Sequence, residues 1–145
     1  MKFPTYIPFV ETLGMELHRF ENGEAEISLE VRDDICNSWS VLHGGAVMTL
    51  LDVVMAHAAK SPVDGEVPSE LGVVTIEMKT TFMRPGLGRV LAKGRVVHRT
   101  ASLAFCEASV FDAEGKITSQ ATGTFKYLKG LPAGGRKIHR QSASD

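Results

Sequence analysis

The stretch HGGAVMTLLDVVMAHAA, His43 to Ala59, decides the fold. From 44 to 60 there is no proline and little that breaks a helix, enough chain for about four to five turns of 3.6 residues. On a helical wheel its apolar residues cover nearly the whole circumference, which predicts a helix buried on all sides. One carboxylate, Asp52, interrupts this surface, and between 44 and 59 the only other ionisable group is His57. An unpaired carboxylate among apolar neighbours is costly, so Asp52 needs a partner or a wet cleft. The plain alternative is a structural tie to a Lys or Arg from a strand. His57 does not lie beside Asp52 on the wheel and is given no role.

Strand patterns flank this segment. Ala25-Glu26-Ile27-Ser28-Leu29-Glu30-Val31 alternates apolar and polar residues, as a half-buried strand does. Val74, Ile76, Met78 and Phe82 alternate with Thr75, Glu77 and Lys79, so Thr75 is expected on the face of the two charges. Segments 89–99, 102–112 and 117–127 are three further strands, and a short first strand lies near 15–20. Pro85-Gly86-Leu87-Gly88 reads as a turn. Arg99-Thr100-Ala101-Ser102 and Asp112-Ala113-Glu114-Gly115 are links short enough for hairpins. Pro4 and Pro8 interrupt the N-terminal segment, and 62–71 is a polar loop. The class is α+β: one long central helix wrapped by a curved antiparallel sheet of about five to six strands. Residues 1–130 form a single domain, and 131–145, rich in Gly, Arg, Ser and Ala, form a mobile tail.

A net charge of −1 argues against nucleic acid as the main partner, since phosphate binding needs a basic excess or face. The longest apolar run is broken by Asp52 and His57, so no membrane span is expected, and no signal peptide is expected at the N-terminal segment. Cys36 and Cys106 belong to no CxxC pair, and no His/Cys cluster has metal spacing. No metal or cofactor is expected, and two reduced thiols suit a cytoplasmic protein.

Gly44 and Gly45 stand where the first N–H groups of the helix have no internal partner. Without side chains they let a ligand approach those donors, and the helix dipole favours negative charge there. With a carboxylate nearby, this suits acyl transfer, in which an oxyanion needs donors and water needs a base. Yet Gly44 and Asp52 are eight residues apart, about 12 Å along the axis. They cannot serve one carbonyl in one subunit. Two central helices laid antiparallel about a two-fold axis would bring Gly44 of one protomer to Asp52 of the other, giving a C₂ dimer with two composite sites.

Asn37, His43-Gly44-Gly45 and Asp52, at these spacings, resemble the signature of hotdog-fold acyl-CoA thioesterases of the phenylacetate-degradation type. The segment VVTIEMKTTFMRPG, Val73 to Gly86, is similar to that family's third strand and its link to the next. The likeness runs from about Pro8 to Leu128 and implies a hotdog fold. It implies that Asp52 is nucleophile or general base, that the Gly44 N–H sits in the oxyanion hole and that Gly45 beside it belongs to the substrate-binding set. Asn37 orients the thioester or leaving sulfur, His43 supports the Asn37–Gly44 loop, and Thr75 helps place the water. Phe82, Met83, Arg84, Pro85 and Gly86, with Arg99, Thr100 and Ser102, match stretches that hold coenzyme A. Ala101 stands where a glycine is common, and the loop 62–71 is longer than is usual in the family. Coenzyme A enters as part of the substrate, and the family assembles as homodimers or pairs of dimers.

Each residue has a plainer reading as well. Asn37 could cap a loop, His43 could be a hydrogen-bonded turn residue, and Arg84 and Arg99 could be surface charges. Two rival functions stand beside hydrolysis: an acyl-thioester hydratase or dehydratase of the same fold, and a non-catalytic acyl-CoA binder. Release of free thiol separates hydrolysis from both.

Overall fold

Ala25, Ile27 and Leu29, the apolar half of the alternating segment, are each at most 1% exposed. They lie on one strand of a computed structural model that describes residues 1–64, 70–130, 136–139 and 141. The elements are α1 (Pro8–Leu13), β1 (Glu16–Glu21), β2 (Glu24–Glu30), a 3₁₀ turn (Asp33–Ile35), α2 (Gly44–Lys60), β3 (Gly72–Phe82), β4 (Arg89–Arg99), β5 (Leu103–Phe111) and β6 (Ile117–Leu128). The strands form one six-stranded sheet in the order β1-β2-β4-β5-β6-β3, antiparallel at every pairing. The expected α+β architecture is therefore present, with α2 across the inner face of the sheet. No helix among the described residues is long and apolar enough to cross a membrane.

Local chemistry sets the links. The β1–β2 hairpin turns on Asn22 and Gly23, both left-handed at φ 49° and 77°, the pairing that suits a tight hairpin. Between β4 and β5, Thr100 Oγ1 accepts from the Ser102 and Leu103 N–H groups. Between β5 and β6, Asp112 Oδ1 accepts from the N–H groups of Glu114 and Lys116. The sheet closes tightly on the helix: a Cβ on Gly94 of β4 would stand 2.9 Å from the Val54 carbonyl oxygen. Val47, Leu50, Leu51, Val54, Met55 and Ala58 fill the space between them.

Three expectations need correction. The N-terminal segment is not merely interrupted by proline. Pro8 opens α1, because a proline at the first helical turn loses no hydrogen bond. Gly14, left-handed at φ 76°, ends it, and Val10 and Leu13 are buried. The second correction concerns α2, which is not buried on all sides within one protomer. The sheet wraps only part of it; Gly45 is exposed, Met48 is 38% exposed, and Thr49, Asp52 and Ala56 are half-buried. Finally, β3 does not keep one alternation. Its register to β6 shifts between Thr75 and Glu77, leaving Ile76 as the extra residue of a β-bulge. Thr75 sits opposite the fully buried Phe125 and so faces the helix, while Ile76 is 55% exposed. Thr75 therefore does not share the face of Glu77 and Lys79.

The expected tail falls mostly outside the described residues. Of its described part, the His139 carbonyl accepts from the Tyr6 N–H at 2.8 Å.

His57 is a core residue, 1% exposed, with Nδ1 2.7 Å from the Val53 carbonyl. A carbonyl can only accept, so Nδ1 carries the proton. The rings of Phe3 and Phe20 stand edge-on at 5.1 and 5.9 Å. Burial, and then the charge of Lys60, push this imidazole from 6.5 down to about 3, against the Val53 hydrogen bond.

Gly94→Ala should lose about 1–3 kcal/mol in urea unfolding, because the added methyl meets backbone that cannot move aside. His57 sets a pH slope. Between 6.5 and about 3 the unfolded chain takes up a proton that the folded chain refuses, so stability falls as pH falls through that window. The stability gap between wild type and His57→Leu should shrink on acidification, with a slope approaching about 1.4 kcal/mol per pH unit.

Candidate active site

The N-terminus of α2 is shaped by its cap. His43 Nδ1 accepts from the Gly45 N–H at 2.8 Å. An acceptor nitrogen carries no proton, so the neutral ring holds its proton on Nε2. A Cβ on Gly45 would stand 3.1 Å from that Nδ1, so glycine lets the ring seat closely. The Gly44 N–H, one residue earlier, makes no hydrogen bond among the described residues. The Phe82 ring lies against Gly44, with Cε1 3.5 Å from the position of a Cβ.

Asn37 is fixed by its own loop. Its Oδ1 accepts from the Trp39 N–H at 2.9 Å and the Val41 N–H at 3.4 Å. With the oxygen so engaged, the side-chain amide can act on a ligand only as a donor. The link after β3 is tied to the same region: Leu42 N–H donates to the Gly86 carbonyl, and Met83 and Arg84 N–H both donate to the Thr118 carbonyl. Arg84 Nη1 donates to the Ile117 carbonyl at 2.8 Å. Asn37, Gly44 and the whole run Phe82, Met83, Arg84, Pro85 and Gly86 line one cavity of about 410 Å³. Val41 and the buried Leu42, Val47, Thr118 and Ser119 complete its walls; they come from three separate segments, and no local pattern marks them.

Asp52 is paired, but with neither Lys nor Arg. Thr75 Oγ1 donates to Asp52 Oδ1 at 2.6 Å. The bulge at Ile76 makes this possible, since it turns Thr75 toward the helix. The second carboxylate oxygen has no protein partner among the described residues. Asp52 sits two turns along α2 from Gly44, on the exposed side of the helix.

Arg99, Thr100 and Ser102 lie elsewhere. Arg99 Nη2 and Tyr127 Oη both donate to the Ala59 carbonyl, at 3.1 and 2.7 Å. A cation and a hydroxyl thus satisfy a carbonyl at the helix C-terminus, where the dipole is negative. Burial raises the Tyr127 phenol, and the Arg99 charge opposes that shift. The Ser102 carbonyl accepts from the Tyr127 N–H. Arg99, Thr100, Lys60 and Tyr127 line a second cavity, of about 400 Å³. Within one protomer the 17 residues of α2, about 25 Å of helix, separate it from Gly44. Tyr127 was not singled out in the sequence, because its contact with Ala59 joins residues far apart in the chain.

Donors at a helix N-terminus and a hydroxyl-oriented carboxylate are the parts that acyl transfer requires. The thioesterase superfamily profile matches residues 40–119. The Thermoplasma volcanium protein TV1331, which bears the name of an esterase, is 30% identical over 118 residues, 81% of this chain and 85% of its own. YigI of Escherichia coli K12, named a medium/long-chain acyl-CoA thioesterase, is 27% identical over 137 residues, 85% of this chain and 87% of its own. The structure of PaaI from the phenylacetic acid degradation operon of Escherichia coli superposes with a TM-score of 0.74, covering 83% of each chain at 20% identity, a likeness of fold. This chain therefore belongs to the thioesterase superfamily, in its hotdog-fold form.

Proposed function

We propose that the chain hydrolyses acyl-coenzyme A to a carboxylic acid and free coenzyme A, at a centre shared by two copies. One observation carries this reading. The Gly44 N–H and the Asp52 carboxylate are both held ready by their own neighbours, yet stand about 12 Å apart on one helix. Each is half of a reaction centre. Antiparallel α2 helices about a two-fold axis bring Gly44 of one protomer to Asp52 of the partner subunit, twice over. The exposed helix face, from Gly45 through Met48 and Asp52 to Ala56, is then the surface that the partner covers. A pair of such dimers leaves this centre unchanged.

In this arrangement Asp52 of the partner subunit takes a proton from water as the water oxygen attacks the thioester carbonyl. The carbonyl oxygen becomes an oxyanion and accepts from the Gly44 N–H. The Asn37 amide donates to the thioester and fixes its angle. Collapse breaks the carbon–sulfur bond, and the thiolate leaves with the proton that Asp52 took up. Thr75 holds one carboxylate oxygen, which leaves the other for water. His43 stays behind the oxyanion site, holding Gly45.

The resemblance of 82–86 and 99–102 to coenzyme A-binding stretches fits the same geometry. The two cavities lie at opposite ends of α2 within one protomer, and reversal of the partner's helix brings one of each kind to each shared centre. YigI supports coenzyme A thioesters as the substrate class. Free thiols at Cys36 and Cys106 support a reducing compartment, the cytoplasm.

In a thiol-release assay over a panel of acyl-CoA thioesters, Asp52→Asn should lower turnover by at least about 10²-fold without changing the melting profile. Near-normal turnover in that variant would remove Asp52 from the mechanism; binding without thiol release would favour the hydratase or the plain binder. Thr75→Val should lower kcat/KM by about tenfold, the scale of one hydrogen bond to a charged group. Added to Asp52→Asn it should cost nothing further, because the two side chains act as one unit.

A further inference from the structure

Trp39 is the one tryptophan in the chain, and it is 83% exposed. Loop tips in water normally carry small or polar residues. Nor does this tip hang loose. Asn37 N–H donates to the Val41 carbonyl, Ser40 N–H to the Asn37 carbonyl, and Asn37 Oδ1 takes the N–H groups of Trp39 and Val41. Cys36 and Leu42 pair beneath the loop, and Ser40 is held left-handed at φ 59°. A large aromatic group is therefore displayed on a stiff turn, and that turn belongs to the residue expected to orient the thioester. Rigid, exposed tryptophans are favoured anchors of interfaces, since little freedom is lost on docking.

The composite-site reading, on which this inference rests, says what lies opposite. If Gly44 meets Asp52 of the partner subunit, the midpoint residue, Met48, faces its own copy at the two-fold axis. The partner's helix does not stop at Asp52. It runs two more turns, to Lys60, past the Gly44 end where the Asn37 loop stands. One turn beyond Asp52, on the same face, is Ala56, half-buried and small. An alanine there leaves room for an indole that a longer side chain would block.

We propose that Trp39 docks on α2 of the partner subunit beside Ala56, anchoring the dimer and walling the flank of the shared centre. Trp39 touches no reacting atom. It is a positioning residue, acting through the Asn37 loop and through the closeness of the two helices. The occupant of this surface is a second copy of the same chain.

A lone tryptophan makes the test direct. Indole emission shifts to the blue when the ring leaves water, and quenching by acrylamide falls. The full-length protein at dimeric concentration should emit well to the blue of its urea-unfolded form, and dilution through dissociation should return the emission to the red. Ala56→Lys should redden Trp39 emission and weaken the dimer in sedimentation. Trp39→Ala should raise the dimer dissociation constant at least about tenfold and lower kcat at sub-saturating dimer, with Trp39→Phe restoring most of both. At protein concentrations high enough to force dimerisation, kcat of Trp39→Ala should recover, which loss of a fold-supporting residue would not allow. A dimer whose Trp39 emits as in unfolded chain, or a Trp39→Ala dimer as tight as wild type, would overturn the docking and leave the composite centre standing. A blue shift that appears only when coenzyme A is added would also overturn it, by giving the ring to the ligand. An active monomer would overturn both the docking and the composite centre.

Discussion

The close seat of α2 against the sheet is the constraint on which everything else rests. At Gly94 the sheet backbone comes so near the Val54 carbonyl that no side chain fits between them. At Gly123 a Cβ would stand 3.1 Å from Met55 Cε. These contacts let β4 and β6 curl around the helix instead of standing off from it. A helix held that firmly has fixed ends. Its first N–H groups point in a constant direction, and a carboxylate two turns along keeps a constant height above the strands. Preorganised donors stabilise developing charge without reorienting at the moment of reaction, so rigidity here serves chemistry.

Each end of α2 is finished by different means. At the start, His43 takes the Gly45 N–H and leaves the Gly44 N–H before it bare. At the finish, Arg99 and Tyr127 converge on one carbonyl. The asymmetry follows the dipole, positive where an anion is to be met and negative where a guanidinium is already in place. The sequence reading gave Arg99 to the coenzyme or to the solvated surface. In the folded chain its guanidinium also has a structural partner, visible only once β4 is laid beside the end of the helix.

Much of the architecture could be read from residues in order. The bounds of α2 followed from a proline-free run, and the late strands and their links from alternation broken by Gly, Asp and Ser. Asn37 and Gly44 line one cavity with 82–86, a run that the resemblance had grouped with 99–102. What could not be read depends on contacts across the sheet. A bulge leaves no mark in a pattern of twos: Val74, Ile76 and Met78 look like one face, although Ile76 is the extra residue that reverses the phase. Thr75 therefore read as sharing the face of Glu77 and Lys79, while its hydroxyl in fact meets Asp52. The apolar circumference of α2 misled for a related reason. Gly45, Met48 and Ala56 look like core on a wheel, but a single open sheet cannot surround a cylinder. Pro8 read as a break because its place at the start of a turn, where it is welcome, could not be known before the turn was seen.

The extra residue in β3 also bears on a hazard unrelated to catalysis. β3 lies at the rim of the sheet, eleven residues long, and among the described residues no other strand of the protomer pairs with its outer side. A straight rim of that length is a template on which foreign chains can add and grow into fibres. The kink at Ile76 divides it into two shorter runs with different twist, so a passing strand can zip along one part or the other but not along the whole. One inserted side chain thus aims a hydroxyl inward and spoils the outer margin as a seed for aggregation.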